Sequence, residues 1–327
     1  MGDDALDPLS AEIDLSRLKT YSIRERQSKV TTDLFAKPLN PGAGVNDFLA
    51  SLPAILAGDS FRTAVTALAG AVRKHRAVVL AMGAHVIKCG LSPILIDLLH
   101  HGCLSAIALQ GAGAIHDLEI ALYGKTSEDV ECALPAGRFG MARETADFFN
   151  DSAKAAAQNG MGLGATLGKR LLEAQAAHAD VSLLAQAAAQ GVPVTVHVAL
   201  GTDIVHMHPS ADGAAIGDAS MRDFRILAGR LRGISDGGVV INLGSAVILP
   251  EVLLKCFSIL RNLGYDLSGA TGINMDFLQQ YRAGTQVVRR LERLGGKGIA
   301  LTGHHELMLP LLAWAWRAAL EEEDGCC

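Results

Sequence analysis

The sequence predicts an α/β protein built on a doubly wound, mainly parallel, Rossmann-like sheet. Three observations lead there. Short apolar runs such as "AVVLAM" (77–82), "SAIALQ" (105–110) and "VVINLG" (239–244) have the length and continuity of strands buried on both faces. Stretches with helical periodicity separate them, and strands alternating with helices imply a parallel sheet with helices on both sides. Glycine and polar residues follow the strand-like runs repeatedly, at the carboxyl ends where open α/β sheets hold ligands.

Taken in order, residues 1–45 are polar and irregular and are expected to form an N-terminal arm; within it "YSIRERQSKV" carries Arg24, Arg26 and Lys29. That stretch reads as a solvated arm or as a segment docking on a partner subunit or an anionic ligand. "VNDFLASLPAILAG" and "FRTAVTALAGAVRKH" are helical and lead into the first strand; "LSPILIDLLHHG" is helical and leads into the second. Ala-rich helical stretches follow from about 142 to 190, then "VPVTVHVAL" as the third strand and a helix near 219–231. "VVINLG", the helix "VLLKCFSILRNLG", the strand "TGINMDF", a helix around 284–294, the strand "GIALTG" and a closing helix complete the series. With no repeat, linker or break in composition, residues 46–321 read as one Rossmann-like domain and 322–327 as a solvated tail.

Half of the 327 residues are hydrophobic, enough for a large core. A net charge of −5 and a pI near 6.1 give no footprint for nucleic acid. No apolar run reaches the roughly 18 residues that span a bilayer. The opening "MGDDALDPLS" has no apolar h-region, and Cys89, Cys103, Cys132, Cys256, Cys326 and Cys327 form no C-x-x-C pair. A cytoplasmic protein with free thiols is expected.

Polar residues cluster after each strand-like run. Gly83, Ala84 and His85 follow the first, and Gly111, Ala112, Gly113, His116 and Asp117 the second. Asp203, His206 and His208 follow the third, and Gly244 and Ser245 the fourth. Asn274 and Asp276 close the fifth; Gly303, His304, His305 and Glu306 follow the sixth. One such histidine is usually structural, but six groups along one sheet edge argue for a small-molecule site. Two glycine-rich stretches are set aside. "GMGLGATLGKR" (160–170) follows no strand and so fails the context test for a dinucleotide motif, and "DGAAIGD" (212–218) reads as a surface turn. His100 and His101 end a helix, where imidazolium suits the dipole.

Together these strand ends resemble the deoxyhypusine synthase family over roughly residues 70–315. The resemblance lies in the order and spacing of "AVVLAMGAHVIKCGLSPILIDLLHHGCLSAIALQGAGAIHDLEIAL", "VPVTVHVALGTDIVHMHP", "GGVVINLGSAVILPEVLLKCFSILRNLGYDLSGATGIN" and "GIALTGHHELMLPLL". It implies an NAD-binding fold and a homotetramer with active sites at subunit interfaces. It places cofactor contacts on Ala84–Lys88 (including His85), on Gly111, Ala112 and Gly113, on Gly244 and Ser245, and on Met275 and Asp276. The family's chemical residues are replaced. Its Ser-Trp-Gly-Lys motif falls on "LQQYRAGTQVVRRLERLGG", which has neither lysine nor tryptophan. Its histidine falls near Pro250 and Glu251, and its acidic pair on His116 and Asp117. Lys88 and Lys255 stand at no matching position, so transfer through an enzyme imine lacks its nucleophile and deoxyhypusine synthesis is not expected.

Three readings follow. In the first, NAD is retained and a small substrate, an amine or alcohol, is oxidised. His208 or His206 would act as base, Asp203 would orient it or hold a cation, and His116, Asp117, Glu251, His304 and His305 would contact substrate. In the second, His206 and His208 at a strand end point to the same side and, with Asp117 or His305, hold a divalent metal for hydrolysis. In the third, the chain is a non-catalytic ligand-binding relative.

Overall fold

Six strands form one all-parallel sheet: β1 Val78–Met82, β2 Ala106–Gln110, β3 Val194–His197, β4 Val239–Leu243, β5 Thr271–Asp276 and β6 Lys297–Thr302. Their spatial order is β3-β2-β1-β4-β5-β6. The computed structural model describes residues 12, 13 and 15–324. The helices are α1 (Val45–Ser51), α2 (Leu56–Arg73), α3 (His85–Lys88), α4 (Ser92–His100), α5 (Gly111–Tyr123), α6 (Val130–Ala133) and α7 (Arg143–Gln158). They continue with α8 (Leu163–Glu173), α9 (Leu183–Ala189), α10 (Gly213–Arg230), α11 (Ile248–Asn262), α12 (Tyr281–Ala283), α13 (Arg290–Arg293) and α14 (His305–Asp324).

The period of two along each strand divides the core. Leu80 and Met82 of β1 and Ile107 and Leu109 of β2 join α2, α4, α5 and α14 on one face, where Trp316 is fully buried. Val79, Ala81, Ala106 and Ala108 turn to the other face and meet α10 and α11 through Leu227, Leu253 and Phe257. Large side chains fill one side; alanines on the other let helices lie close. Full burial of each leucine contributes about 1.5–3 kcal/mol.

Several expectations change. β3 stops at His197 and does not run through Leu200; residues 204–207 form a 3-10 turn. The period-2 argument that put His206 and His208 on one side therefore does not apply. α10 begins at Gly213, with the Asp212 carboxylate accepting from Ala214 N and Ala215 N, so "DGAAIGD" is a cap and first helical turn and not a surface turn. The expected helix around 284–294 opens as a π-helix, Gly284–Arg289. α14 continues through Asp324 into the expected tail, while residues 1–11, 14 and 325–327, with Cys326 and Cys327, lie outside the described residues. In "GMGLGATLGKR" the glycines serve packing: a Cβ on Gly164 would stand 2.2 Å from the Val194 carbonyl oxygen. Among the described residues no helix is long and apolar enough to cross a membrane.

Candidate functional site

The strand order reverses between β1 and β4, and there the backbones pack tightly. Gly83 N–H donates to Leu243 O at 2.9 Å and Gly244 N–H to Met275 O at 3.1 Å. A Cβ on Gly83 would lie 2.2 Å from Gly244 O; Gly244, at φ +66°, would thrust one to 2.7 Å from His305 Cε1. Both positions require glycine. Beside them runs a chain of amides, two of them, Asn242 and Asn274, fully buried. Asn242 Nδ2 donates to Ser245 O (2.9 Å) and Asn274 Oδ1 (2.7 Å), Asn274 Nδ2 to Gln279 Oε1 (2.7 Å), and Gln279 Nε2 to Leu301 O (3.0 Å). Ser245 is buried and its hydroxyl accepts from Leu249 N, opening α11.

On this side a histidine cluster gathers. His305, 1% exposed, hydrogen-bonds through neither ring nitrogen, although Nε2 lies 3.6 Å from Asp276 Oδ1. Burial pulls its pKa down, against the Asp276 charge. The His85 ring is 5.7 Å away, Phe277 lies 6.0 Å from both, and His304 stacks on Phe277 at 6.3 Å. Cys89 joins them unforeseen: its Sγ is 3.3 Å from His85 Nε2 and 3.9 Å from Glu306 Oε2. Burial, then the Glu306 charge, raises the thiol pKa. The signal was the i, i+4 spacing of His85 and Cys89 beside a strand end.

The β2–β3 side forms a second lobe. α5 starts directly after β2, and Asp203 sits over its first turn, where a Cβ on Gly111 would be 2.0 Å from Oδ2. Burial pushes the Asp203 carboxyl up to about 6, opposed by the Ala112 backbone N–H, and Oδ2 is buried without a partner. Gly113 needs no such space: its Cβ would find Leu109 at an ordinary 3.6 Å. Asp203 and Ala112 line a cavity of about 360 Å³ with Lys88, His116, Glu119 and Glu128. Glu119 and Glu128 also wall a neighbouring cavity of about 380 Å³ that reaches Lys125 and Glu144. His116 Nδ1 lies 2.6 Å from Thr126 Oγ1, and burial lowers its pKa. The short helix α3 divides the lobes, with His85 on the histidine side and Lys88 in the cavity wall.

Other expected site residues stand apart. His206 Nδ1 accepts from Gly201 N and Asp203 N, at 3.1 and 3.2 Å, and so ties its own loop. His208 Nε2 reaches the Gly140 carbonyl at 2.8 Å. Asp117 is wholly buried; its carboxylate accepts from Ser182 Oγ, Leu183 N and Leu184 N at 2.6, 2.8 and 3.0 Å, capping α9. Glu251 pairs with Lys255 and with Arg282 (2.7 Å) and accepts from Gln286 (3.2 Å), and those hydrogen bonds hold it down at about 2. The π-helix carries Gln286 to that position. Among the described residues no three His, Cys, Asp or Glu side chains are grouped to hold a metal ion.

No protein-family model matches the sequence, and no curated protein matches it. Among solved structures, the ternary complex of AgrE with ornithine and NAD+ superposes with a TM-score of 0.52 and 14% identity, over 84% of this chain and 35% of that one. Unliganded AgrE gives 0.50 and 16% identity, over 82% and 34%. A protein from Entamoeba histolytica assigned as a deoxyhypusine synthase gives 0.48 and 13% identity, over 85% and 94%. The chain spans about a third of AgrE's length. At these identities the likeness is one of fold, an α/β Rossmann-like sheet.

Proposed function

We propose that the chain binds NAD across the carboxyl ends of β1 and β4 and oxidises a small amine-bearing substrate held in the adjoining cavity. The observation that carries this is the meeting of Gly83 and Gly244 at the switch in strand order, the place where sheets of this order hold dinucleotides. The residues present suit such a ligand. Glycine at both positions lets the two strand ends meet without side chains, and His305, with Nε2 3.6 Å from Asp276 Oδ1, stands beside them. The likeness of fold to AgrE, captured with ornithine and NAD+, adds support.

Bound NAD would accept a hydride. Gly83, Ala84, His85, Gly244, Ser245 and Asp276 would hold and orient it. The cavity presents Glu119, Glu128 and Asp203 against Lys88, a balance that favours a cationic group. Asp203, poised near neutrality by burial, would hold the ammonium or take its proton. His206 and His208 act here as positioning residues for the loop that carries Asp203, a change from the base first expected of them. The stretch 278–296, lacking lysine, offers no imine-forming nucleophile. The same reading takes the chain to be a homo-oligomer, in keeping with apolar arm residues such as Ile13, 82% exposed.

Calorimetric titration with NAD tests this. Saturable binding with a micromolar Kd is expected, weakened about tenfold or more by His85→Trp, which crowds the crevice from an exposed position. Diamine binding should weaken in Asp203→Asn. An absence of NAD binding would overturn the proposal.

A further inference from the structure

We propose a second binding site at the opposite end of the sheet, for a small ligand bearing a phosphate or pyrophosphate group. An open cleft of about 710 Å³ lies at the amino-terminal ends of β1 and β2, bounded by Ala77 and Ser105. Three guanidiniums converge on it from different segments: Arg76 from the link between α2 and β1, Arg230 from the last turn of α10, and Arg232 from the turn that follows. His75 adds a fourth group able to carry positive charge. No aspartate or glutamate lines the cleft.

That composition calls for an explanation in a chain with an excess of acidic residues. Like charges gathered around one open volume repel, and the folded protein gains from the arrangement when an anion occupies it. Cations do suit helix C-termini, and Arg230 closes α10. That accounts for Arg230 and for Arg232, whose Nε caps the Gly229 carbonyl in the last turn of α10, and leaves Arg76, three residues past the end of α2. Arg76 is paired with Asp236, whose side chain is 78% exposed. Arg232 is held in place: Nε donates to Gly229 O at 3.0 Å, Nη1 to Tyr265 Oη at 3.3 Å, and its guanidinium lies 5.6 Å over the Tyr265 ring. It is a fixed donor. Arg230, in contrast, has no hydrogen bond or ion pair among the described residues, so its whole fork is available.

Gly102, at φ +67°, and Gly229 complete the walls, and an added Cβ at either would meet nothing within 4 Å. The cleft therefore has open floor beside fixed donors. A planar fork matched to two oxygens is the geometry by which arginine selects phosphate. A pyrophosphate group, with charges on two centres, suits the unpaired fork of Arg230, with Arg232 offering the donors that Gly229 and Tyr265 leave free.

The test is calorimetric titration of the full chain with sodium pyrophosphate and with inorganic phosphate at constant ionic strength, using wild type, Arg230→Gln, Arg143→Gln and His85→Trp. Arg230 has no structural partner, so its replacement leaves the fold intact. Saturable pyrophosphate binding with a Kd below about 1 mM is expected, weakened about tenfold or more in Arg230→Gln. Arg143→Gln, a change at an exposed arginine elsewhere, should leave the affinity unchanged. His85→Trp should also leave it unchanged, which separates this site from the proposed NAD crevice. No saturable binding overturns the proposal. So does equal affinity in Arg230→Gln, or a loss in His85→Trp alone.

Discussion

Replacing Gly83 by alanine should destabilise the protein, whereas the same replacement at Gly113 should not. The added methyl at Gly83 would stand 2.2 Å from the Gly244 carbonyl oxygen, against ordinary Cβ contacts of 3.4–4 Å. The ends of β1 and β4 would have to part by about 1.2 Å. Five registered pairs, Val78↔Val239 to Met82↔Leu243, resist that. Overpacking of this kind costs about 1–3 kcal/mol. At Gly113 the methyl meets Leu109 at 3.6 Å within a helix, where alanine gains up to about 1 kcal/mol over glycine. Urea unfolding of both variants, with Tm as a second readout, measures the difference. The two unfolding free energies should separate by about 1–4 kcal/mol in favour of Gly113→Ala. Equal midpoints, or a stable Gly83→Ala protein, would refute the claim that β1 and β4 meet through bare backbone, and with it the geometric basis of the crevice.

Asp203 gives a pH signature. Its carboxyl rises from 3.8 to about 6 on folding, so between those values the folded chain keeps a proton that the unfolded chain has lost, and stability falls as pH rises through the window. Buried Asp223, raised to about 7, adds to the same fall. Asp203→Asn should flatten the profile between pH 4 and 6 while Asp223 keeps its share; identical slopes in chemical denaturation would count against a raised Asp203. Asp117→Ala removes the cap of α9 and orphans buried donors, at about 2–4 kcal/mol in urea unfolding, yet should leave NAD and diamine binding unchanged. A selective loss of binding would restore Asp117 to the site. Alkylation mapped by mass spectrometry should reach exposed Cys132 before Cys89, and reach Cys103 and Cys256, raised by burial to about 11 and 12, only on unfolding. Early labelling of Cys256 would contradict its burial.

The strands were legible because burial on both faces writes them as apolar runs ended by glycine or polar residues. "AVVLAM" and "SAIALQ" each match a strand to within a residue at its start. "VPVTVHVAL" misled because residues after His197 keep an apolar alternation while the backbone has already left the sheet, which turned His206 back onto its own loop and sent His208 to the Gly140 carbonyl. Asp117 looked like a site residue because it follows a strand by about two helical turns. Its partners Ser182, Leu183 and Leu184 are some 65 residues on, and no local pattern records them. The basic cleft was invisible for the same reason: Arg76 and Arg230 are distant in sequence and meet only through the fold. Cys89 did have a local signature in its spacing from His85.

The amide chain beside Gly83 and Gly244 has a direction imposed from both ends. The Leu301 carbonyl on β6 can only accept, so Gln279 must offer it an N–H; Gln279 then has an oxygen left for Asn274, and Asn274 an oxygen for Asn242. Two main-chain carbonyls, Leu301 on the outermost strand and Ser245 beside β4, thereby agree on which way round every amide between them faces. A glutamate at 279 would still accept from Asn274 but would set a carboxylate oxygen against the Leu301 carbonyl, so the chain would break at its β6 end alone.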